Sequence, residues 1–167
     1  LEFRRVLFRS SALLDRIAAV DTDGTDVSLR SVLAVDAGAL AVARERDAER
    51  AAGAVRGPLH GVPVLIKDNI EAVGLPATAG ATSLVDRTVT VDSPIAQRIR
   101  DAGAIIIGAT NLSQWANIRS PHSSSGWSAV GGLVGNPWAL DRSAGGSSSG
   151  SGAAVAAGEN IRDLLRD

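Results

Sequence analysis

The sequence predicts an α/β fold with a largely buried sheet, and three observations carry that expectation. Two short apolar runs beside glycines, Val62-Pro63-Val64-Leu65-Ile66 and Ala104-Ile105-Ile106-Ile107, have the length and composition of strands. Between them, Asp92-Ser93-Pro94 is a sharp helix start, with Ser as N-cap and Pro at the first helical position. The centre of the chain therefore runs strand, loop, helix, strand, helix, an order typical of α/β units.

Taken in order, Leu1–Ser10 sits badly with the rest of the chain. It holds both phenylalanines and three arginines, where the other residues are dominated by Ala, Val, Gly, Ser and Asp. It is set aside as a foreign, adapter-like segment, with a short amphipathic lead-in as the other reading. Ser11 to Val20 places Leu13, Leu14, Ile17 and Ala18 at helical spacing, with Ser11 as its cap. Asp21 to Asp26 is a turn cluster. Leu40 to Ala52 has the pattern of an exposed helix, with Arg46 and Arg50 among its acids.

Gly53 and Gly57-Pro58 break that helix, and Gly61 leads into the strand that Lys67 ends. Asp68 to Thr82, with Gly74, Pro76 and Gly80, is a loop. The helix from Pro94 runs through Ile95, Ile99 and Ala102 to Gly103, and the second strand comes next. Asn111 is expected to cap another helix holding Leu112 and Trp115, and Pro121 to Gly135 to form a long loop serving a site. Ala153 to Gly158 reads as a small-residue helix that is cut off, and Glu159 to Asp167 as a charged tail of different texture.

Composition narrows the function. A chain of 167 residues suits one domain. The 45% apolar and 21% charged fractions are ordinary for a soluble globular protein. Large side chains are scarce, with five Phe or Trp and no Tyr or Met, which fits a piece of a larger domain at least as well as a whole one. The net charge of -1 gives no basic footprint for nucleic acid. Absence of cysteine excludes disulfides, thiol nucleophiles and thiolate metal sites, and His60 and His122 alone argue against a metal. The apolar runs are too short to span a membrane and no signal-peptide pattern is visible, so cytoplasmic residence is the expectation.

Lys67 is the only lysine beside sixteen arginines, and it closes an apolar strand. Arginine stays protonated in any protein setting, whereas a buried lysine can lose its proton. A lone lysine here is compatible with proton chemistry or with a structural ion pair to Asp68. Downstream lies Gly145-Gly146-Ser147-Ser148-Ser149-Gly150-Ser151-Gly152, open to four readings. A flexible linker has this composition, but linkers seldom lead straight into an apolar helix. A phosphate cradle needs a preceding strand and the Gly-Lys-Ser/Thr or dinucleotide pattern, all missing. The Gly-x-Ser-x-Gly elbow of Gly146–Gly150 needs a later histidine, also missing. The fourth reading pairs the serines with Lys67 as base, a triad without histidine.

Gly57-Pro58-Leu59-His60-Gly61-Val62-Pro63-Val64-Leu65-Ile66-Lys67-Asp68-Asn69 and Asn136-Pro137-Trp138 through Gly145-Gly146-Ser147-Ser148-Ser149-Gly150-Ser151, with Asp92-Ser93-Pro94, Gly103-Ala104, Gly108 and Thr110-Asn111 between, resemble the amidase signature family. The similarity covers roughly residues 11–158, the expected N-terminal part of an amidase domain. It implies a mixed sheet with flanking helices, incomplete in this chain, and amide hydrolysis through a Ser-cis-Ser-Lys triad and an acyl-enzyme, with no cofactor. Lys67 matches the catalytic lysine and Ser147 the bridging serine in a cis peptide. Gly145, Gly146, Ser148 and Ser149 then support the loop. The resemblance implies a nucleophilic serine in a further glycine-rich segment, which also supplies the oxyanion hole. No later Gly-Gly-Ser is present, so the chain as given is expected to be inactive.

Asn111-Leu112-Ser113-Gln114-Trp115 and Pro121-His122-Ser123-Ser124-Ser125-Gly126-Trp127-Ser128 look more like stand-alone amidases than the A subunit of tRNA-dependent amidotransferases. In such enzymes this loop borders the acyl pocket, so Ser123, Ser124, Ser125 and Gly126 are candidate contacts to a small-molecule amide. His122 is expected to face solvent, and Trp115, Trp127 and Trp138 to be packing residues. The alternatives are a non-catalytic binding or scaffolding module and the amidotransferase subunit. Oligomeric state is left open.

Overall fold

A computed structural model describes residues 5–21, 24 and 27–158. Its centre is a three-stranded sheet of order β1-β3-β2, built from β1 (Val32–Val35), β2 (Pro63–Lys67) and β3 (Ile105–Thr110). β2 runs parallel to β3, whereas β1 runs antiparallel to it, so the sheet is mixed as the resemblance implies. Among the described residues, four α-helices accompany it: α1 (Val6–Val20), α2 (Ala39–Ala51), α3 (Pro94–Asp101) and α4 (Ser149–Ala156). A two-stranded hairpin pairs β4 (Trp127–Ser128) with β5 (Gly132–Leu133).

The central strand explains the two-sided core. All of β3 is buried, because helices cover both sheet faces. Ile105 and Ile107 pack with Leu13 and Ile17 of α1 and Ala39 and Ala43 of α2. Ile106 and Ala109 pack on the other face with Ile66, Leu75 and Ala96. Strict alternation would put Ala109 with Ile107, but the β2–β3 register slips between Val64 and Leu65, which pair with Ile106 and Gly108. Ile107 is the extra residue of a bulge, and it flips the remainder of the strand. Gly108 fits there because a β-carbon would crowd the Ala34 carbonyl and the Leu65 side chain.

The start of α3 agrees with the sequence. The Ser93 hydroxyl accepts the Ala96 N–H at 3.4 Å, Pro94 is the first helical residue, and Gly103 lies just past the end with φ 84°. Ser93→Ala is expected to cost ~1 kcal/mol. A chemical-denaturation midpoint unchanged from the parent would show that the cap contributes nothing.

Four expectations are corrected. The first helix begins at Val6 rather than at Ser11, because the Asp47 carboxylate of α2 accepts the Val6 and Leu7 N–H groups at 2.8 and 3.0 Å. Val6, Ser10, Leu13, Ile17 and Val20 then form one buried stripe. Within α2, Arg46 is buried rather than exposed, paired with Glu45 and Glu49 at 2.9 and 2.6 Å. Asn111 caps no helix. It leaves β3 into a short turn, Gln114–Asn117, in which Trp115, Ala116 and Asn117 all take left-handed φ of 51°, 54° and 66°. Finally, the long polar loop contains the β4–β5 hairpin. Most of the Asp21–Asp26 turn cluster, residues 1–4 and the 159–167 tail lie outside the described residues.

His60 is a structural residue. The Arg56 N–H donates to its Nδ1 at 3.3 Å, so Nε2 carries the proton and donates to the Arg46 carbonyl at 2.9 Å. No helix among the described residues is long and apolar enough to cross a membrane. None of them form a cluster of three or more His, Cys, Asp or Glu that could hold a metal ion.

Candidate active site

The site forms where β2 and β3 end side by side. Lys67 pairs in register with Thr110, and the next residue, Asp68, donates its N–H to the Thr110 carbonyl at 3.0 Å. The Lys67 side chain reaches the serine run: Nζ donates to Ser147 Oγ at 2.9 Å and to Ser148 Oγ at 3.0 Å. The Gly146–Ser147 peptide is cis. Lys67 and Ser147, 80 residues apart in sequence, are thus in direct contact.

The serine run is packed structure and no linker. Gly145, at φ 73°, donates its N–H to Ser143 Oγ at 3.0 Å. The Ser147 carbonyl accepts the Ser113 N–H at 3.0 Å. α4 starts at Ser149 within the run itself, earlier than its composition indicates. Gly150 donates its N–H to the Asn111 carbonyl at 3.0 Å, and Thr110 Oγ1 and Ser151 Oγ lie 2.8 Å apart. The end of β3 therefore seats the whole run opposite Lys67.

Burial pushes the Lys67 pKa below the ordinary lysine value. No carboxylate among the described residues lies within ion-pair distance to oppose that shift. The ion-pair alternative fails because Asp68 turns elsewhere. Its Oδ2 accepts the N–H of Thr78 at 3.1 Å and of Gly80 at 3.4 Å, together with the Thr78 hydroxyl. Burial raises the Asp68 carboxyl pKa, against the pull of those three hydrogen bonds.

Ser125 and Gly126 abut the glycine pair. Gly126 donates its N–H to Ser113 Oγ at 2.8 Å, and Asn117 Nδ2 donates to Ser125 Oγ at 3.2 Å. A β-carbon on Gly146 would collide with the Ser113 hydroxyl and press on that of Ser125, so position 146 has no room for a side chain. Ser123 and Ser124 line an adjacent cleft of about 310 Å³ with Gln114, Trp115, Asn117 and Trp127. Ser148 touches Lys67 directly, while Ser149 is buried. His122 is exposed, as expected. The packing role expected of the tryptophans does not hold for Trp138, which is 84% exposed, nor for Trp127, which is exposed on the hairpin.

Sequence reasoning missed Ser113, which joins the serine run to the Ser123–Gly126 loop. It sits in an unremarkable Leu-Ser-Gln context, and only the fold brings its backbone and hydroxyl between two loops.

The Amidase family matches residues 11–161. The chain is 45% identical over 159 residues to the A subunit of the glutamyl-tRNA(Gln) amidotransferase of Salinispora tropica, covering 95% of this chain and 30% of that protein. Among solved structures, native peptide amidase from Stenotrophomonas maltophilia superposes with a TM-score of 0.89 at 47% identity, covering 93% of this chain and 31% of that one. An amidase family protein from Bacillus anthracis gives 0.86 at 33% identity, with 93% and 31% covered. The chain spans less than a third of the length of each of these relatives. Family match, fold likeness and the paired motifs of Lys67 and Ser147 coincide, and the chain belongs to the amidase family.

Proposed function

We propose that this chain supplies the base and the bridging serine of an amide-bond hydrolase. The observation that carries the reading is the 2.9 Å contact between Lys67 Nζ and Ser147 Oγ, made by a lysine that burial favours in its neutral form. Neutral Nζ takes the Ser147 proton while Ser147 Oγ takes the proton of the nucleophilic serine, which attacks the amide carbon. The same relay, run backwards, protonates the departing amine and leaves an acyl-enzyme. Water then attacks that ester by the reverse sequence and regenerates the serine. Ser148, the second partner of Nζ, holds the lysine in line with Ser147.

The nucleophile and the oxyanion-hole N–H groups belong, in this reading, to a further glycine-rich segment of a longer protein, and the 167-residue chain alone is inactive. The substrate is a small amide whose acyl part lies against Ser123–Gly126, and the protein acts in the cytoplasm without a cofactor. The likeness to the Salinispora protein supports a second reading as an amidotransferase A subunit. The 47% identity to the Stenotrophomonas peptide amidase is what supports the free-standing hydrolase.

A chimera tests this. Residues 11–158 replacing the matching segment of the Stenotrophomonas peptide amidase are expected to yield an enzyme that hydrolyses a peptide amide. A folded chimera without activity sinks the reading, and so does amide hydrolysis by the isolated chain that survives Lys67→Ala.

The pH dependence has a definite sign. The base works only when neutral, so kcat/KM rises with pH through the lowered Lys67 pKa and levels off above it. The rise therefore falls below the pH at which an ordinary lysine titrates. A profile that rises only in the ordinary lysine range would exclude Lys67 as the base.

A further inference from the structure

Asp68 is fully buried, yet it does not pair with the lysine beside it. Among the described residues, every hydrogen bond its carboxylate makes goes through Oδ2 to one turn: the Thr78 N–H, the Thr78 hydroxyl and the Gly80 N–H. Its Oδ1 is buried with no hydrogen-bond partner among the described residues. The Asp68 carbonyl also accepts the Ala79 N–H at 3.1 Å, so the turn is held from both main chain and side chain. Burying a carboxylate is costly unless its hydrogen bonds are made, and these are all spent on Thr78–Gly80.

That turn touches both walls of the cleft. The Ala79 carbonyl accepts the Trp115 N–H at 2.9 Å. The Gly80 carbonyl accepts the N–H groups of Ala129 and Val130, at 3.1 and 3.3 Å, just beyond β4. Gly80 also packs so closely that a β-carbon there would meet Ser128 and the Gln114 backbone. The strand end that carries Lys67 is thus connected through one carboxylate to the Gln114–Trp115 turn and to the Trp127–Val130 segment.

We infer that Asp68 is a positioning residue: by clamping the Thr78–Gly80 turn it fixes the two cleft walls relative to Lys67. The inference rests on the proposed hydrolase reading for its meaning in catalysis, since it assigns the cleft to the substrate. Charge acting directly on Lys67 is a different role, and the two are separable because an asparagine keeps the shape and an acceptor oxygen but not the charge. The carboxyl pKa raised by burial agrees with a group held for its geometry.

The chain offers its own probes. Lys67 is the only lysine, so lysine labelled with 13C at Cε gives one signal whose titration belongs to Lys67. Three tryptophans give three indole N–H signals, and the exposed Trp138 serves as an internal control for Trp115 and Trp127. Asp68→Ala is expected to raise the Lys67 midpoint by ~1 pH unit, a tenfold smaller neutral fraction, as water enters the loosened strand end. It should also move the Trp115 and Trp127 signals and leave Trp138 in place. Asp68→Asn is expected to leave all of these near the parent. The inference is overturned if Asp68→Ala moves none of them, if it moves all three indoles alike, or if Asp68→Asn lowers the Lys67 midpoint. Should Asp68→Ala fail to fold, Thr78→Val removes only the hydroxyl and should move the same signals less far; no movement overturns the inference. A parent Lys67 that titrates like free lysine would sink the hydrolase reading instead, and the Trp115 and Trp127 signals alone would then decide the role of Asp68.

Discussion

Lys67→Ala is expected to lower kcat of the active chimera about 10⁴-fold or more, the scale seen when one member of a nucleophile–base unit is deleted. That corresponds to ~5.5 kcal/mol of transition-state stabilisation, at about 1.4 kcal/mol for each factor of ten. The loss is large because Lys67 Nζ is the only basic group in contact with Ser147 among the described residues, so nothing else can accept its proton. Lys67→Arg is the sharper variant. A guanidinium restores positive charge and hydrogen-bond donors, yet it stays protonated at any working pH and cannot act as a base. It is therefore expected to be as inactive as the alanine variant. Turnover by Lys67→Arg within tenfold of the parent would show that charge or loop support, and not proton transfer, is what position 67 provides. Circular dichroism of both variants guards against loss of fold, which Nζ does not hold alone: Ser147 keeps its backbone bond to Ser113 in either variant.

The parts of this architecture that were legible in the sequence are those in which local chemistry and tertiary context agree. Ser93-Pro94 starts a helix because cap and ring geometry act within one turn. Val62–Lys67 and Ala104–Gly108 are read as strands because their apolar runs match a sheet covered on both faces. Lys67 and Ser147 were visible as a pair only through two separated motifs, and their contact is a product of the fold. The misreadings occur where a distant partner decides. Asn111 has the residue type of a cap, but its side chain is engaged by β5 and by the segment before β1, so no helix forms there. The start of α1 is set by Asp47, some 40 residues away. β1 is only four residues long, with no strong pattern of its own, and exists because Val32, Ala34 and Val35 have β3 to pair with. The Asp68 clamp was hidden for the same reason: strand alternation turns its side chain away from Lys67, but only the fold shows that the carboxylate meets Thr78.

Asn111→Ala is expected to be the most destabilising single change near the site. Asn111 is fully buried and uses every hydrogen-bonding group it has. Oδ1 accepts the Leu112 N–H at 2.8 Å and the Ser128 hydroxyl at 2.7 Å. Nδ2 donates to the Arg30 carbonyl at 3.0 Å and the Gly132 carbonyl at 3.4 Å. Its own N–H and carbonyl bond Ser31 and Gly150 at 2.7 and 3.0 Å. One side chain thus ties the segment before β1 to the β4–β5 hairpin, while its backbone seats the start of α4. Truncation strands the Leu112 N–H in the interior and removes a partner of Ser128, at about 1–3 kcal/mol for each buried group left unpaired. With the cavity added, the expected loss is ~4 kcal/mol or more, a fall in Tm on the order of 10 °C for a chain of this size. Asn111→Asp separates hydrogen bonding from shape. Its second oxygen would face two carbonyls as an anion, so burial and repulsion raise its pKa in the folded state above the unfolded value. The aspartate variant should therefore be weak at neutral pH and regain stability as pH falls through that raised value, where the protonated acid can donate to the Arg30 carbonyl. Thermal unfolding of the two variants at pH 7 and pH 5 checks this. An alanine variant melting within about 2 °C of the parent would mean that the serine run is seated by its other contacts, and that Asn111 does not hold the site together.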